Sequence, residues 1–205
     1  PPMSNYGNII LVALTCLISW HAFKNSRFMD DWILNPYIAN RKQQYYRYVS
    51  YGFIHADMPH LIFIIFSLYF FGRVLECFFA LHFGGYGYFV FYFGALVCSV
   101  LPSAMSQKDN IRYSTLGASG AVSAVLFSFI LLQPWSLIYI YFIPVPAILY
   151  GVGYFAYTFY MDKKGGDNIN HSAHLWGAVY GVLVTVLLEP KSVYGFFGRL
   201  IALGH

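Results

Sequence analysis

Ser119 and His174 are the residues whose types and neighbours fit covalent chemistry. Ser119 stands in Gly117-Ala118-Ser119-Gly120, at the head of an almost wholly apolar run, and His174 in His171-Ser172-Ala173-His174, at the head of another. A serine hydroxyl is a poor nucleophile until a base takes its proton. A neutral imidazole can take it near pH 7. The first turn of a helix presents unpaired N–H groups and a positive dipole end, which suits a developing oxyanion. The apolar run after His174 holds no Asp or Glu, so the expected machinery is a dyad rather than a triad. The small residues have a second reading, as a packing seam of the kind common between membrane helices. Gly177 and Gly181 are four apart and share a helical face with His174. A helix packing through those glycines would present His174 to its neighbour. If that neighbour carries Gly120 and Ala121, the serine and the histidine meet.

A third cluster is His55-Ala56-Asp57-Met58-Pro59-His60. His60 opens an apolar run and could donate a hydrogen bond to an oxyanion. His55 fits either a catalytic role or the capping of local backbone. His55 and His60 are five apart and His171 and His174 three apart, but no HExxH pattern accompanies them. Catalytic zinc takes three protein ligands, so no metal site is expected, and no cofactor.

The elements that must position these groups are membrane helices. Of the 205 residues 59% are hydrophobic, 21% aromatic and 10% charged, against about 25% charged in soluble domains. So large an apolar excess does not fit in one soluble core. A spanning helix needs about 20 mainly apolar residues, and six candidates follow: 8–23, 60–79, 86–104, 116–132, 135–160 and 172–188. The fifth is broken by Pro144 and Pro146, so its helix is expected to begin near Pro146. Residues 24–59 carry many tyrosines and charges and read as a structured loop at the membrane interface. Cys16, Cys77 and Cys98 read as buried thiols with neither disulfide nor metal. The net charge of +4 is scattered, so no nucleic-acid partner is expected. No signal peptide is read in the first residues. With the N-terminus cytoplasmic, that side would carry Arg73, Lys191 and Arg199, and the opposite side the other nine basic residues. The positive-inside rule favours the reverse.

The motifs in combination resemble the rhomboid intramembrane serine protease family, over nearly the whole chain. The family's GxSG is Gly117 to Gly120, its AHxxGxxxG runs from Ala173 and His174 through Gly177 to Gly181, and its HxxxxH is His55 to His60. Tyr46-Arg47 and Glu76 also fall where the family has an aromatic–Arg pair and a glutamate. The resemblance implies an all-α polytopic membrane protein, a bundle of six transmembrane helices in one domain over residues 1–205, with a water-filled cavity reaching the serine from the extracytoplasmic side. It implies Ser119 as nucleophile, His174 as general base, and His60 with the Ser119 backbone N–H as oxyanion donors. Two departures stand out. Where the family usually has an oxyanion Asn, this chain has Ile64, one turn after His60, and both are expected to point toward the serine. Where some members have an aromatic packed on the histidine, this chain has Ser123.

The function expected is intramembrane proteolysis of transmembrane protein substrates by the Ser119–His174 dyad, weakened by Ile64. The alternative is a catalytically impaired rhomboid-like protein that binds transmembrane helices. Partners would be membrane lipid and substrate helices. By the resemblance, the location would be multi-pass in a bacterial inner membrane.

Overall fold

A computed structural model describes residues 6–140 and 142–202. The chain start, on which no signal peptide was read, lies outside the described residues up to Asn5. Helix α1 covers Gly7–Lys24. The segment that follows is built of short helices: α2 (Ser26–Trp32), α3 (Pro36–Arg41) and α4 (Arg47–Ser50), then a single 3-10 turn, Tyr51–Phe53. Asn25 and Asn35 cap α2 and α3 by accepting from Phe28 and Ile38 N–H groups. Arg47 is buried and ties the segment together: it donates to the Asp30 and Ile33 carbonyls at 2.7 and 2.8 Å and to Gln44 Oε1 at 2.8 Å. Leu34 pairs with Thr115 in a two-way backbone bridge at 3.1 and 2.9 Å, which pins the segment to the strand of chain just before Ser119.

Helices α5 (Met58–Ser67) and α6 (Arg73–Phe83) form one continuous rod through a π turn, Leu68–Gly72. A π turn leaves a carbonyl without its usual partner. Here Asn8 Nδ2 donates to Leu68 C=O at 2.7 Å, and Tyr88 OH donates to Asn8 Oδ1 at 3.0 Å. Buried Glu76 accepts the Gly7 N–H at 2.5 Å and the Asn8 N–H at 3.2 Å, at the positive end of α1. A turn at Gly84, in the left-handed region with φ +70°, leads into α7 (Gly87–Ser106).

Helix α8 (Ser119–Leu132) has 11 of its 14 residues buried. A helix that is apolar all round belongs in the centre of a bundle, and α8 packs there against α7 and α10 (His171–Leu188). Between α8 and α9 (Ala147–Lys164) lies an antiparallel hairpin, β1 (Leu137–Ile140) with β2 (Ile143–Pro146). The hairpin corrects the all-α expectation locally. Pro144 and Pro146 have no N–H to give a helix, whereas Leu-Ile-Tyr-Ile suits a strand. A final helix, α11 (Lys191–Ile201), was not anticipated. Trp135 Nε1 donates to Arg199 C=O at 2.7 Å and Arg199 donates to Leu132 C=O, clasping α11 to the foot of α8.

Three described segments are long and apolar enough to cross a membrane: Gly7–Lys24, Met58–Ser106 and His171–Leu188. The middle one is a 49-residue run that contains both α5–α6 and α7. Helix α8 is shorter, and α9 ends in Asp162, Lys163 and Lys164. The buried cysteines are also corrected: Cys16 is half-buried, and Cys77 on α6 and Cys98 on α7 are exposed.

Candidate active site

Gly117 has φ +101°, the left-handed region that favours glycine. A β-carbon there would also sit 2.7 Å from His60 Cε1. The Gly117 N–H donates to Tyr51 C=O at 2.9 Å, and the Ala118 N–H donates to His55 Nε2 at 3.3 Å. The chain then turns into α8 with Ser119 as its first residue. The Ser119 N–H is therefore one of the groups that have no intrahelical acceptor.

His55 is fully buried. Because its Nε2 accepts from Ala118, its Nδ1 carries the proton and donates to Ser19 Oγ at 2.9 Å. Ser19 in turn donates to Phe53 C=O at 2.8 Å. Burial first, and then the neighbouring His60, push His55 down to about 3, so it is neutral at pH 7. His55 supports the loop before Ser119 and stands behind His60, ring against ring at 4.9 Å. Asp57 caps α5 by accepting the His60 N–H at 2.8 Å, which holds His60 at the helix mouth.

Helices α8 and α10 meet through the expected glycines. A β-carbon at Gly177 would lie 2.0 Å from the Gly120 carbonyl oxygen, and one at Gly181 would lie 2.2 Å from that of Ala124. The seam thus runs through Gly120, as expected, and through Ala124, about one turn deeper than the expected Ala121. Asn170 sets the start of α10. It caps the helix by accepting the Ala173 N–H at 3.1 Å and donates to Ser103 Oγ and Tyr113 OH at 2.9 and 3.0 Å. His171 Nε2 meets Asp167 Oδ2 at 3.0 Å, and hydrogen bonding to His171 holds the exposed Asp167 carboxyl below its ordinary range.

Ser119, His174 and His60 all line one cavity of about 1220 Å³, between α5, α8, α9, α10, the end of α7 and the loops beside them. Among the described residues no hydrogen bond joins Ser119 Oγ to His174. Catalytic hydrogen bonds in unliganded sites are often long and tighten with substrate. Ile64 was expected to face the serine beside His60. Instead it is fully enclosed in the core with Leu68 and Ala118 and does not line the cavity, whose α5 wall is His60, Phe63 and Ser67. An isoleucine gains by being enclosed in the apolar interior rather than left at a cavity wall.

Sequence reasoning missed Tyr154. Its ring stacks on His174 with centroids 6.1 Å apart and planes 21° from parallel, and its hydroxyl lies 2.8 Å from Ser123 Oγ. The available signal was the spacing Tyr150, Tyr154, Thr158, one polar edge at i, i+4 on an apolar helix. Ser19 and Asn170 were also missed; Ser19 lies one turn after Thr15 inside an apolar segment, and Asn170 closes the polar loop that precedes another.

A family model described as the Rhomboid domain matches residues 42–191. RHOMBOID-like protein 12, mitochondrial, of Arabidopsis thaliana is 29% identical over 188 residues, which are 85% of this chain and 55% of that protein. The chain therefore spans about half the length of the curated relative it matches.

Proposed function

The chain belongs to the rhomboid family, and from that premise we propose that it is an intramembrane serine protease acting on transmembrane protein substrates. The observation that carries the proposal is that Ser119 and His174 open two helices locked backbone to backbone at Gly177 and Gly120, and share one cavity. In this mechanism His174 takes the Ser119 proton as Oγ attacks the scissile carbonyl. The His60 ring and the Ser119 N–H receive the oxyanion. His174 then returns the proton to the leaving amine, and a water from the cavity hydrolyses the acyl-enzyme.

The proposal takes α1, α5–α6, α7, α8, α9 and α10 as six membrane spans. At about 1.5 Å per residue α8 is about 21 Å long, short of the ~30 Å hydrocarbon layer. Its serine end then lies below the membrane surface, and the cavity is its route to water. The membrane is bacterial on the sequence reading; the name of the relative places that protein in the mitochondrion.

A second reading is a rhomboid-fold binder of transmembrane helices that does not cut. It is favoured by the α5 wall of the cavity, His60, Phe63 and Ser67, which brings no amide to the oxyanion. A fluorophosphonate probe on the membrane-reconstituted protein separates the two. The protease reading expects labelling that is lost in Ser119→Ala and His174→Ala. Absent labelling, with retained binding of a transmembrane peptide, establishes the binder.

A further inference from the structure

We infer that Tyr154 is the positioning residue of the dyad, a single side chain on α9 that holds the base through its ring and the nucleophile's turn through its hydroxyl. This inference rests on the proteolytic reading of the site. Ser123 Oγ donates to Ser119 C=O at 2.9 Å, so toward Tyr154 it is the acceptor. The hydrogen-bonded line therefore runs from Tyr154 O–H to Ser123 Oγ–H to the carbonyl of Ser119 itself. The same tyrosine lies face to face with His174 at 6.1 Å, within the offset-stacked range of aromatic pairs.

The ring is itself held on two sides. Tyr150 stacks on it at 6.1 Å and Phe127 of α8 meets it at 6.1 Å. One turn up, Tyr157 of α9 meets His171 edge-on at 6.0 Å, so α9 faces both histidines of α10 with aromatic rings. A serine at position 123 is what makes room: a large side chain there would occupy the space into which Tyr154 reaches. The rest of α9 packs sparsely. Leu149, Val152, Phe155, Phe159 and Tyr160 are exposed, so the ring that orients the base is carried by a helix with much of its surface toward lipid. The position of α9 is thereby linked to the geometry of both Ser119 and His174.

The test compares Tyr154→Phe, which keeps the ring and loses the hydroxyl, with Tyr154→Leu, which loses both. Turnover of a transmembrane substrate is measured in liposomes, with thermal unfolding in micelles recorded alongside. Tyr154→Phe is expected to lower kcat about 2- to 10-fold, the worth of one neutral hydrogen bond. Tyr154→Leu is expected to lower it on the order of 100-fold with KM unchanged, the cost of a base displaced by about 1 Å. Equal kcat in the two variants, or a loss that appears in KM alone, overturns the inference. A second measurement does not need activity: the ring-proton NMR shifts of His174 in histidine-labelled protein. They should move in Tyr154→Leu and stay near the parent's in Tyr154→Phe, because only the ring supplies the local field. Unmoved shifts in Tyr154→Leu overturn the inference. A parent enzyme without turnover overturns the protease reading instead, and the NMR comparison then decides the positioning role.

Discussion

Gly177→Ala tests the central geometric claim, that two helices approach so closely that the dyad depends on a missing methyl group. The added β-carbon would lie 2.0 Å from the Gly120 carbonyl oxygen and 2.8 Å from its carbonyl carbon. Ordinary contact begins near 3.4 Å, so α8 and α10 must part by about 1.4 Å at this level. Both obstacles are backbone, so no rotamer change can relieve them. Overpacking of this kind costs about 1–3 kcal/mol in well-packed cores. The catalytic effect should be larger than the stability effect, because Gly120 is next to Ser119 and Gly177 is one turn from His174. A displacement of about 1 Å at reacting groups costs on the order of 100-fold in turnover. The control is Gly153→Ala on α9, where a β-carbon meets nothing within 4 Å. The assay pairs thermal unfolding in detergent with turnover of one transmembrane substrate. The expected pattern is a lower melting temperature and a collapse of kcat for Gly177→Ala, with Gly153→Ala close to the parent. If Gly177→Ala matched Gly153→Ala in both measurements, the close approach of α8 and α10 would be refuted.

Other consequences are open to the same assays. His55→Ala removes the acceptor for the Ala118 N–H and the donor to Ser19 and should cost about 1–3 kcal/mol for the groups left unpaired, whereas His55→Gln, which offers one acceptor and one donor, should recover part of it. Because His55 is held near 3 rather than its ordinary 6.5, its neutral form supports the fold fully above about pH 6.5, and support falls as acid protonates the unfolded chain first. Between pH 7 and pH 5 the parent should lose ~2 kcal/mol more than His55→Gln, and parallel pH–stability curves would contradict this. Arg47→Ala should loosen residues 26–57, since hydrogen bonds to a charged group are worth about 1.5–3 kcal/mol each; limited proteolysis should then cut within that segment, and unchanged resistance would show that Arg47 does not hold it. Ile64→Asn places an amide in the enclosed apolar core and should lower stability by about 1–3 kcal/mol with no gain in turnover. A rise in turnover would show that position 64 reaches the oxyanion after all.

The legible parts of this protein are those that depend on neighbours along the chain. The membrane class followed from composition, because too few polar residues exist to cover so much apolar surface. One helix start followed from its prolines: α9 begins directly after Pro146. The seam glycines followed from their spacing, since i and i+4 share a face whatever surrounds the helix. What the sequence left open depended on which residues from distant segments occupy one space. Ile64 shares the broad face of His60 but is rotated about 40° from it around the helix, and the cavity lies on the opposite side, that of Phe63 and Ser67. The aromatic partner of His174 could not be read at position 123, because it arrives from α9 through tertiary packing. His55 also looked alike as catalyst or cap until the fold put Ser19 on one ring nitrogen and the Ala118 N–H on the other. A local rule fixes which way a side chain leaves its own helix; only the packed bundle decides what it meets there.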